Sequence, residues 1–558
     1  LENPMIERAN EDEVLRMLPV YRLTKGLSQG NLRSCIRHCF TQYAAFIKEP
    51  LTSSIREEHG LYAFRDALEL SHFPPNEQVK DLAARSVCFT DLLLLRAYLG
   101  DRRAQRGKAQ ALKIDEKAKQ RFLQALGFAL TGAQQRVIGQ IEKDLAQEVP
   151  MSRLVQGDVG SGKTMVAAYG AWLAAKNGGQ CALMAPTELL AQQHQRTMET
   201  LLAGTGLRVG LLVGSMTAAQ KRDCRAALAA GALDLIVGTH ALLSEGVSFR
   251  RLGVVITDEQ HRFGVDQRAA LAAKSGEKDR PHVLVMSATP IPRTLALMIY
   301  GDLDLSVIDQ LPPGRTPVAT YLIREDKRAR LYAFVRKQVA QGRQVYIVCP
   351  AVDQEDPEGL KAAEQYGRQL QEEVFPDLRV GIVHGKQKAR DKQGVMAAFA
   401  AGEVDVLVST TVIEVGVDVP NASLMVVEDA DRFGLSQLHQ LRGRVGRGEH
   451  PSYCVLLSDN RNELTRKRLK TLASTTDGFA IAEEDLKLRG PGDFFGARQH
   501  GLPQLKLASL EGDMRLLHQA QAAAQEVLAR DPNLTWEEHA PLRRRVEQLF
   551  RENRDIFN

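Results

Sequence analysis

No two of the seven cysteines form a C-x-x-C pair. Cys35, Cys39, Cys88, Cys181, Cys224, Cys349 and Cys454 are odd in number and mostly far apart. That spacing argues against a thiolate zinc site and a disulfide framework. It suits a reducing cytoplasm. Cys181 and Cys349 lie in apolar, strand-like runs and read as core residues. No apolar run reaches the roughly 18 residues a membrane-crossing helix needs. Leu1 to Asn10 contain no apolar signal-peptide core. Tandem repeats and low-complexity stretches are absent too. The net charge of +5 is too small for a basic packaging protein. What remains is ordinary: 44% apolar and 25% charged residues, the composition of a globular chain. The 558 residues leave room for three or four domains at about 150 residues each.

The small net charge is unevenly spread. Arg96 to Arg121 holds nine Lys/Arg against three Asp/Glu, and Arg461 to Lys470 five against one. Such patches suit contact with a phosphate backbone, although solvated helix faces account for them as well. Residues 1–125 read as helical. Leu32, Ile36, Cys39, Phe40, Tyr43 and Ile47 form one apolar stripe, and Leu82, Val87, Phe89, Leu92, Leu93 and Leu95 a second. Pro74–Pro75 separates them. From about Gly127, short β-rich runs alternate with helical ones, the pattern of βαβ units on a parallel sheet. Strands are expected at 183–185, 235–238, 254–257 and 283–287. After the break Leu311-Pro312-Pro313-Gly314-Arg315 they are expected again at 345–349, 380–383, 406–409 and 424–427. Beyond about Asp459 the chain turns basic and helical, then Gly-rich at Arg489 to Gly501.

Three segments carry chemistry. Gly157-Asp158-Val159-Gly160-Ser161-Gly162-Lys163-Thr164 fits G-x-x-x-x-G-K-[ST] between an apolar run and an Ala-rich helix. Glycines let backbone N–H groups wrap a phosphate, and a helix N-terminus favours the negative charge. Lys163 would reach the β- and γ-phosphates and Thr164 would bind Mg²⁺. Next, Val254-Val255-Ile256-Thr257 runs into Asp258-Glu259-Gln260-His261. A carboxylate at the end of a strand beside the phosphate loop can hold Mg²⁺, which suits Asp258, while Glu259 can deprotonate the attacking water. The third is Gln440-Leu441-Arg442-Gly443-Arg444-Val445-Gly446-Arg447-Gly448. Arginines on a turn of a second domain can stabilise charge on a transferred phosphoryl group. Arg442 could equally belong to a nucleic-acid-facing loop.

With these motifs in place, the chain resembles superfamily 2 helicases, and within them the RecG family of bacterial branched-DNA helicases. Phe128-Ala129-Leu130-Thr131-Gly132-Ala133-Gln134 resembles the adenine-reading segment, with Gln134 on the base. Ala185 to His194, including Pro186 and Thr187, and Gly238-Thr239-His240 resemble DNA-backbone contacts. Asp258 to Val265 matches the family's form of the second ATPase motif. Ser287-Ala288-Thr289-Pro290 and Ser409 to Asn421, with Thr410 and Thr411, resemble segments that couple hydrolysis to DNA. Thr476-Asp477-Gly478-Phe479 and Asp485 to Gln499 resemble a translocation motif shared with the Mfd family. There Arg489 and Gln499 would tie a helical hairpin to the motor.

The resemblance implies an α/β fold with two RecA-like P-loop NTPase domains. The expected domains are a helical scaffold (1–125), a first motor domain (126–308), a second (309–459), and a translocation hairpin with the C-terminal region (460–558). Lys163, Asp258, Glu259, Arg444 and Arg447 would be catalytic. Phe128, Gln134 and Gly157 through Thr164 would bind ATP, and Thr164 and Asp258 would bind Mg²⁺. The implied activity is ATP-dependent translocation on duplex DNA, remodelling stalled forks and Holliday junctions in recombination and repair. An Mfd-like transcription-repair motor and a nucleotide-gated scaffold without turnover are the alternatives. The implied setting is a cytoplasmic, nucleoid-associated monomer with branched and duplex DNA, and single-stranded DNA-binding protein, as partners and no membrane. The chain opens on Leu1, and Tyr21 to Leu27 resembles the segment just after the family's N-terminal wedge. The expectation is therefore that the wedge lies outside these residues and that fork unwinding is weak without it.

Overall fold

Strands covered by helices on both faces must be apolar along their whole length. Leu252–Thr257, buried at every position, is such a strand. In the computed structural model, two sets of such strands build two sheets in which every pairing is parallel. The structure describes residues 17–21, 23–24, 26–104, 107–258, 270–272, 274, 279–287, 303–312, 317–350, 364–384, 387–410, 419–448, 450–489 and 514–551. These residues divide into two units. One is made from the two ends of the chain and the other from the stretch between them.

The central unit holds both sheets. The first contains β1 (Ser152–Gly157), β2 (Gln180–Met184), β3 (Val209–Leu212), β4 (Leu235–Gly238), β5 (Leu252–Thr257), β6 (His282–Ser287) and β7 (Asp304–Ile308). Their spatial order is β3-β4-β2-β5-β6-β1-β7. The second contains β8 (Ala319–Ile323), β9 (Gln344–Cys349), β10 (Val380–Val383), β11 (Val406–Thr410), β12 (Ala422–Val427) and β13 (Tyr453–Leu457), in the order β10-β11-β9-β12-β13-β8. In chain order the helices of the end unit begin with α1 (Gln29–Tyr43), α2 (Ser53–His59), α3 (Phe64–His72) and α4 (Glu77–Ala104). The central unit then adds α5 (Glu116–Ala125), α6 (Gly132–Leu145), α7 (Lys163–Lys176), α8 (Glu188–Leu201), α9 (Ala218–Ala229), α10 (Arg328–Ala340), α11 (Ala389–Ala400), α12 (Leu435–Arg442), α13 (Glu463–Ser474) and α14 (Gly478–Arg489). The chain returns to the end unit with α15 (Met514–Arg530) and α16 (Ala540–Arg551).

α7 is buried along nearly its whole length, which its run of Ala and Gly permits. It packs against the first sheet, with Leu154 of β1 and Ile256 of β5 in the same core. α5 docks on its outer side. There Phe122 stacks on Trp172 at 4.8 Å and meets the edge of Tyr169 at 5.7 Å. In the end unit α4 supplies Phe89, Leu92, Leu93, Leu94 and Leu95 to a core shared with Leu516, Ala520, Ala524 and Val527 of α15. The second apolar stripe read from the sequence is this face of α4. The first stripe, on α1, is only half covered among the described residues: Leu32, Ile36 and Phe40 are partly buried and Tyr43 is 60% exposed. Cys181, Cys349 and Cys454 are buried, and all seven cysteines are free. Among the described residues no helix is long and apolar enough to cross a membrane.

The turn between α15 and α16 is closed by one carboxylate. Asp531 accepts hydrogen bonds from the N–H groups of Thr535 (2.8 Å) and Trp536 (2.9 Å) and from His539 Nδ1 (2.9 Å). Burial alone would raise the Asp531 pKa, but these donors outweigh it and hold the group at about 2. A carboxylate whose pKa is lower folded than unfolded stabilises the fold above its unfolded pKa and loses that contribution as pH falls. The α15–α16 turn should therefore loosen between about pH 4 and pH 2. Amide exchange of residues 531–546 across that range should show the loss. In Asp531→Asn the turn should already be loose at pH 6, with no further acid dependence.

Candidate active site

β1 delivers the chain to Gly157 at its carboxyl end. A Cβ there would lie 2.5 Å from Ser161 Oγ and 3.1 Å from Ile308 Cβ, so only glycine lets the loop fold back against β7. Gly160 and Gly162 take φ of 78° and 88°, the left-handed region that favours glycine. α7 starts at Lys163, whose Nζ donates to the carbonyls of Gly157 (2.8 Å) and Asp158 (2.9 Å). The Ser161 hydroxyl is buried with no hydrogen-bond partner among the described residues. A turn of backbone amides, an orphaned hydroxyl and a lysine at a helix N-terminus fit a polyphosphate. Thr164 follows on the first turn of α7.

Gln134 grips this loop from α6. Its Oε1 accepts from the Thr131 N–H (2.9 Å) in a capping box, and its Nε2 donates to the Ser161 carbonyl (3.0 Å). The side chain is buried, and a Cβ on Gly162 would lie 2.2 Å from Nε2. Phe128, just ahead of α6, is 50% exposed and presents an open ring.

The remaining candidates lie at carboxyl ends of strands, the edge where parallel sheets bind ligands. Asp258 follows β5, its N–H donating to Met184 O at 3.0 Å and its carboxylate 2.7 Å from His194 Nε2 on α8. Pro186 and Thr187 follow β2, and Thr187 Oγ1 caps α8 by accepting from the Leu190 N–H. Gly238 ends β4. A Cβ there would lie 2.4 Å from Leu212 O, so its smallness serves the packing of β3 on β4. Thr239 is buried and His240 exposed at the turn that follows. Ser287 closes β6 and Thr410 closes β11, both buried. Glu259, Thr289, Thr411, Gln499 and the Arg489 side chain lie outside the described residues.

The second sheet reaches the loop through α12. A Cβ on Gly443 would lie 2.8 Å from Val159 Cβ, so loop and turn touch. Beside that contact His439 Nε2 lies 2.6 Å from Asp158 Oδ1, and His439 Nδ1 lies 2.8 Å from Arg442 Nη2. A guanidinium can only donate, so Nδ1 accepts and Nε2 carries the proton given to Asp158. Arg442 also donates to the carbonyls of Leu472 (2.7 Å), Thr475 (2.7 Å) and Thr476 (3.3 Å), at the end of α13 where helical carbonyls lack partners. Burial lowers the Arg442 pKa. The side chain is thus neither a free finger nor a nucleic-acid-facing residue. Arg444 and Arg447 are partly buried on the turn beyond, with Arg447 Nε donating to Gly443 O at 3.2 Å.

His194 closes a segment that resembles a DNA-backbone contact and His439 lies just ahead of the arginine turn, but the sequence gives neither its partner. Each stands in or beside a recognised motif, but its partner is 64 or 281 residues away. Only the fold makes the pairing visible.

A phosphate loop and an acidic strand end on one parallel sheet, met by an arginine turn on a second, define a two-domain P-loop ATPase of the helicase class. Residues 131–298 match the DEAD/DEAH box helicase model, and residues 326–449 the helicase conserved C-terminal domain. Residues 475–556 match the C-terminal part of domain 3 of the ATP-dependent DNA helicase RecG. RecG of Synechocystis sp. is 46% identical over 560 residues, covering 99% of this chain and 67% of that protein. RecG of Bacillus subtilis is 43% identical over 528 residues, 94% of this chain and 77% of that one. A solved structure of RecG bound to a three-way DNA junction has a TM-score of 0.75 at 41% identity, over 92% of this chain and 68% of that one. The chain belongs to the RecG family of ATP-dependent DNA helicases.

Arg442→Ala should strand three backbone carbonyls and the His439 ring. Each lost hydrogen bond to a charged donor is worth about 1.5–3 kcal/mol. Thermal unfolding should therefore begin several degrees lower than in the wild type, and Arg442→Lys, with one amine in place of a fork, should recover little of it.

Proposed function

We propose that this chain couples hydrolysis of Mg²⁺–ATP to movement along duplex DNA, and so remodels branched DNA such as stalled forks and Holliday junctions during recombination and repair. The observation that carries the reading is the meeting of Val159 on the phosphate loop with Gly443 on the arginine turn. Catalytic groups from two sheets then share one phosphate site, and relative movement of the sheets can do work. Lys163 would turn from the loop carbonyls to the β- and γ-phosphates. Thr164 and Asp258 would hold Mg²⁺, which when bound neutralises charge on those phosphates. Glu259 takes the proton of the attacking water. Arg444 and Arg447 stabilise charge on the phosphoryl group in flight. Phe128 stacks on the adenine and Gln134 positions the loop beneath it. The segments of Thr187, Thr239 and His240 face the DNA backbone, and those of Ser287 and Thr410 couple hydrolysis to DNA. The match of residues 475–556 to a RecG domain supports this reading over a transcription-repair motor. The substrate is chromosomal DNA, so the work takes place in the bacterial cytoplasm.

Glu259→Gln should bind ATP but turn it over about 10²–10⁴-fold more slowly. Arg447→Ala should lose about 10³–10⁵-fold in turnover with ATP affinity changed only slightly. Wild-type turnover in the first variant, measured by phosphate release, would mean that Glu259 is not the base and would favour a different water-activating group.

The basic run of α13 supports a backbone contact. Arg461, Arg466, Lys467 and Lys470 line a hollow of about 700 Å³ with Glu463, Thr471 and Ser474. Lys467 pairs with Glu484 at 3.7 Å, whereas Arg466 and Lys470 are exposed. Each phosphate neutralised contributes about −0.9 to the slope of log K against log salt. Replacing Arg466 and Lys470 together with Ala should flatten that slope by about two units in a duplex titration, equally for all base sequences.

A further inference from the structure

The phosphate loop contains a negative charge of its own. Asp158 lies between Gly157 and Val159, and its side chain is mostly buried. Its Oδ1 accepts the Val159 N–H at 2.7 Å and the His439 Nε2–H at 2.6 Å. Burial would push its pKa up, but His439, the Val159 N–H and the charge of Lys163 together bring it below the ordinary carboxylate value, so it is ionised at neutral pH. A small cavity of about 90 Å³ lies beside it, lined by Val159, Leu311, Val318, His439, Arg442 and Gly443 among others.

An ionised carboxylate inside an anion-binding loop works against the loop's purpose. Like charges brought together in a partly desolvated site repel strongly, and a buried carboxylate without donors keeps its full desolvation cost. Of the donors on the Asp158 carboxylate, the Val159 N–H belongs to the loop itself. His439 is a side chain from another sheet. It arrives with its proton already on Nε2, because Arg442 occupies Nδ1. The backbone carbonyls around Arg442 hold that arrangement in place.

We propose that His439 is a positioning residue by which the second sheet controls the ATP affinity of the first: its Nε2–H masks the Asp158 carboxylate and so makes the loop hospitable to a polyphosphate. The proposal rests on the reading of this loop as the ATP site. When α12 is against the loop, the charge is masked and ATP binds well. When the sheets separate, Asp158 keeps only the Val159 N–H among these donors and the loop favours release. Nucleotide affinity then follows the separation of the sheets without any contact between His439 and the nucleotide.

The test compares His439→Ala, His439→Gln, Asp158→Asn and the pair Asp158→Asn with His439→Ala. KM and kcat for ATP are measured on saturating duplex DNA, and the Kd of a fluorescent ATP analogue by titration. His439→Ala should raise KM and Kd about tenfold with a much smaller fall in kcat, the split expected when ground-state binding is lost. His439→Gln should recover most of the affinity, since its amide offers an acceptor and a donor about as far apart as the two ring nitrogens. Asp158→Asn in the His439→Ala background should also recover most of it, because the unmasked charge is gone. A purely structural histidine would give a double variant at least as weak as His439→Ala, and that result would overturn the proposal. So would an unchanged Kd in His439→Ala. Where the alanine variant folds poorly, His439→Gln decides: a Kd within a few-fold of the wild type is expected, and a tenfold loss would overturn the proposal. Failure of the wild-type protein to bind the analogue at all would instead contradict the loop as the ATP site.

Discussion

The phosphate loop is held from two sides, and the account depends on the 2.6 Å hydrogen bond between Asp158 and His439. On the loop's own side, Lys163 folds onto the carbonyls of Gly157 and Asp158 while Gln134 holds the carbonyl of Ser161. On the other, His439 and Gly443 bring the second sheet to the loop's tip. Remove the contact and each sheet still has its own core, but the groups for phosphate binding and for charge stabilisation no longer share a site. Arg442 makes the contact directional. Its forked donors bind His439 on one side and the carbonyls from Leu472 to Thr476 on the other, so a displacement of the loop reaches the end of α13 through stiff, short bonds.

Parallel topology is the second constraint. Both sheets are wholly parallel, so all their carboxyl ends lie along one edge. Gly157, Pro186, Gly238, Asp258 and Ser287 each end or follow a strand of the first sheet on that edge. Residues spread over about 130 positions of sequence therefore converge on one edge. In the second sheet the same rule places Thr410 after β11. The edge carries the chemistry and the strands carry the stability, which is why inner strands such as β5 can be apolar along their whole length.

Much of this was legible in the sequence where burial on both faces forces an apolar run. β2, β4, β5, β6, β9, β10, β11 and β12 fall where such runs fall. β3, β7 and β8 are edge strands with a single neighbour and many partly buried positions, so their apolar runs are weak, although β10, also an edge, keeps the run Val380–Val383; the interior strand β13 was not expected either. The Gly-rich loop between β1 and α7 was legible because phosphate wrapping requires a particular order of residue types. The pairing of Asp158 with His439 and of Asp258 with His194 was not. Neither histidine sits in a pattern that announces its partner, and each pairing is created by strand order. Chain order also hides the return of α15 to α4, since its apolar face fits any helical partner and only the shared core of Phe89, Leu93, Ala520 and Ala524 identifies which one.

Loop and arginine turn already touch without DNA, but fast ATP turnover should require DNA across both sheets to align the catalytic groups divided between them. The most direct measurement is the steady-state rate of phosphate release by this chain at saturating Mg²⁺–ATP, alone and with single-stranded, duplex and forked DNA. The account predicts a low rate alone and a large increase with duplex or forked DNA that diminishes as salt rises. An equally fast rate without DNA would contradict it, since contact between the loop and α12 alone would then be enough for turnover.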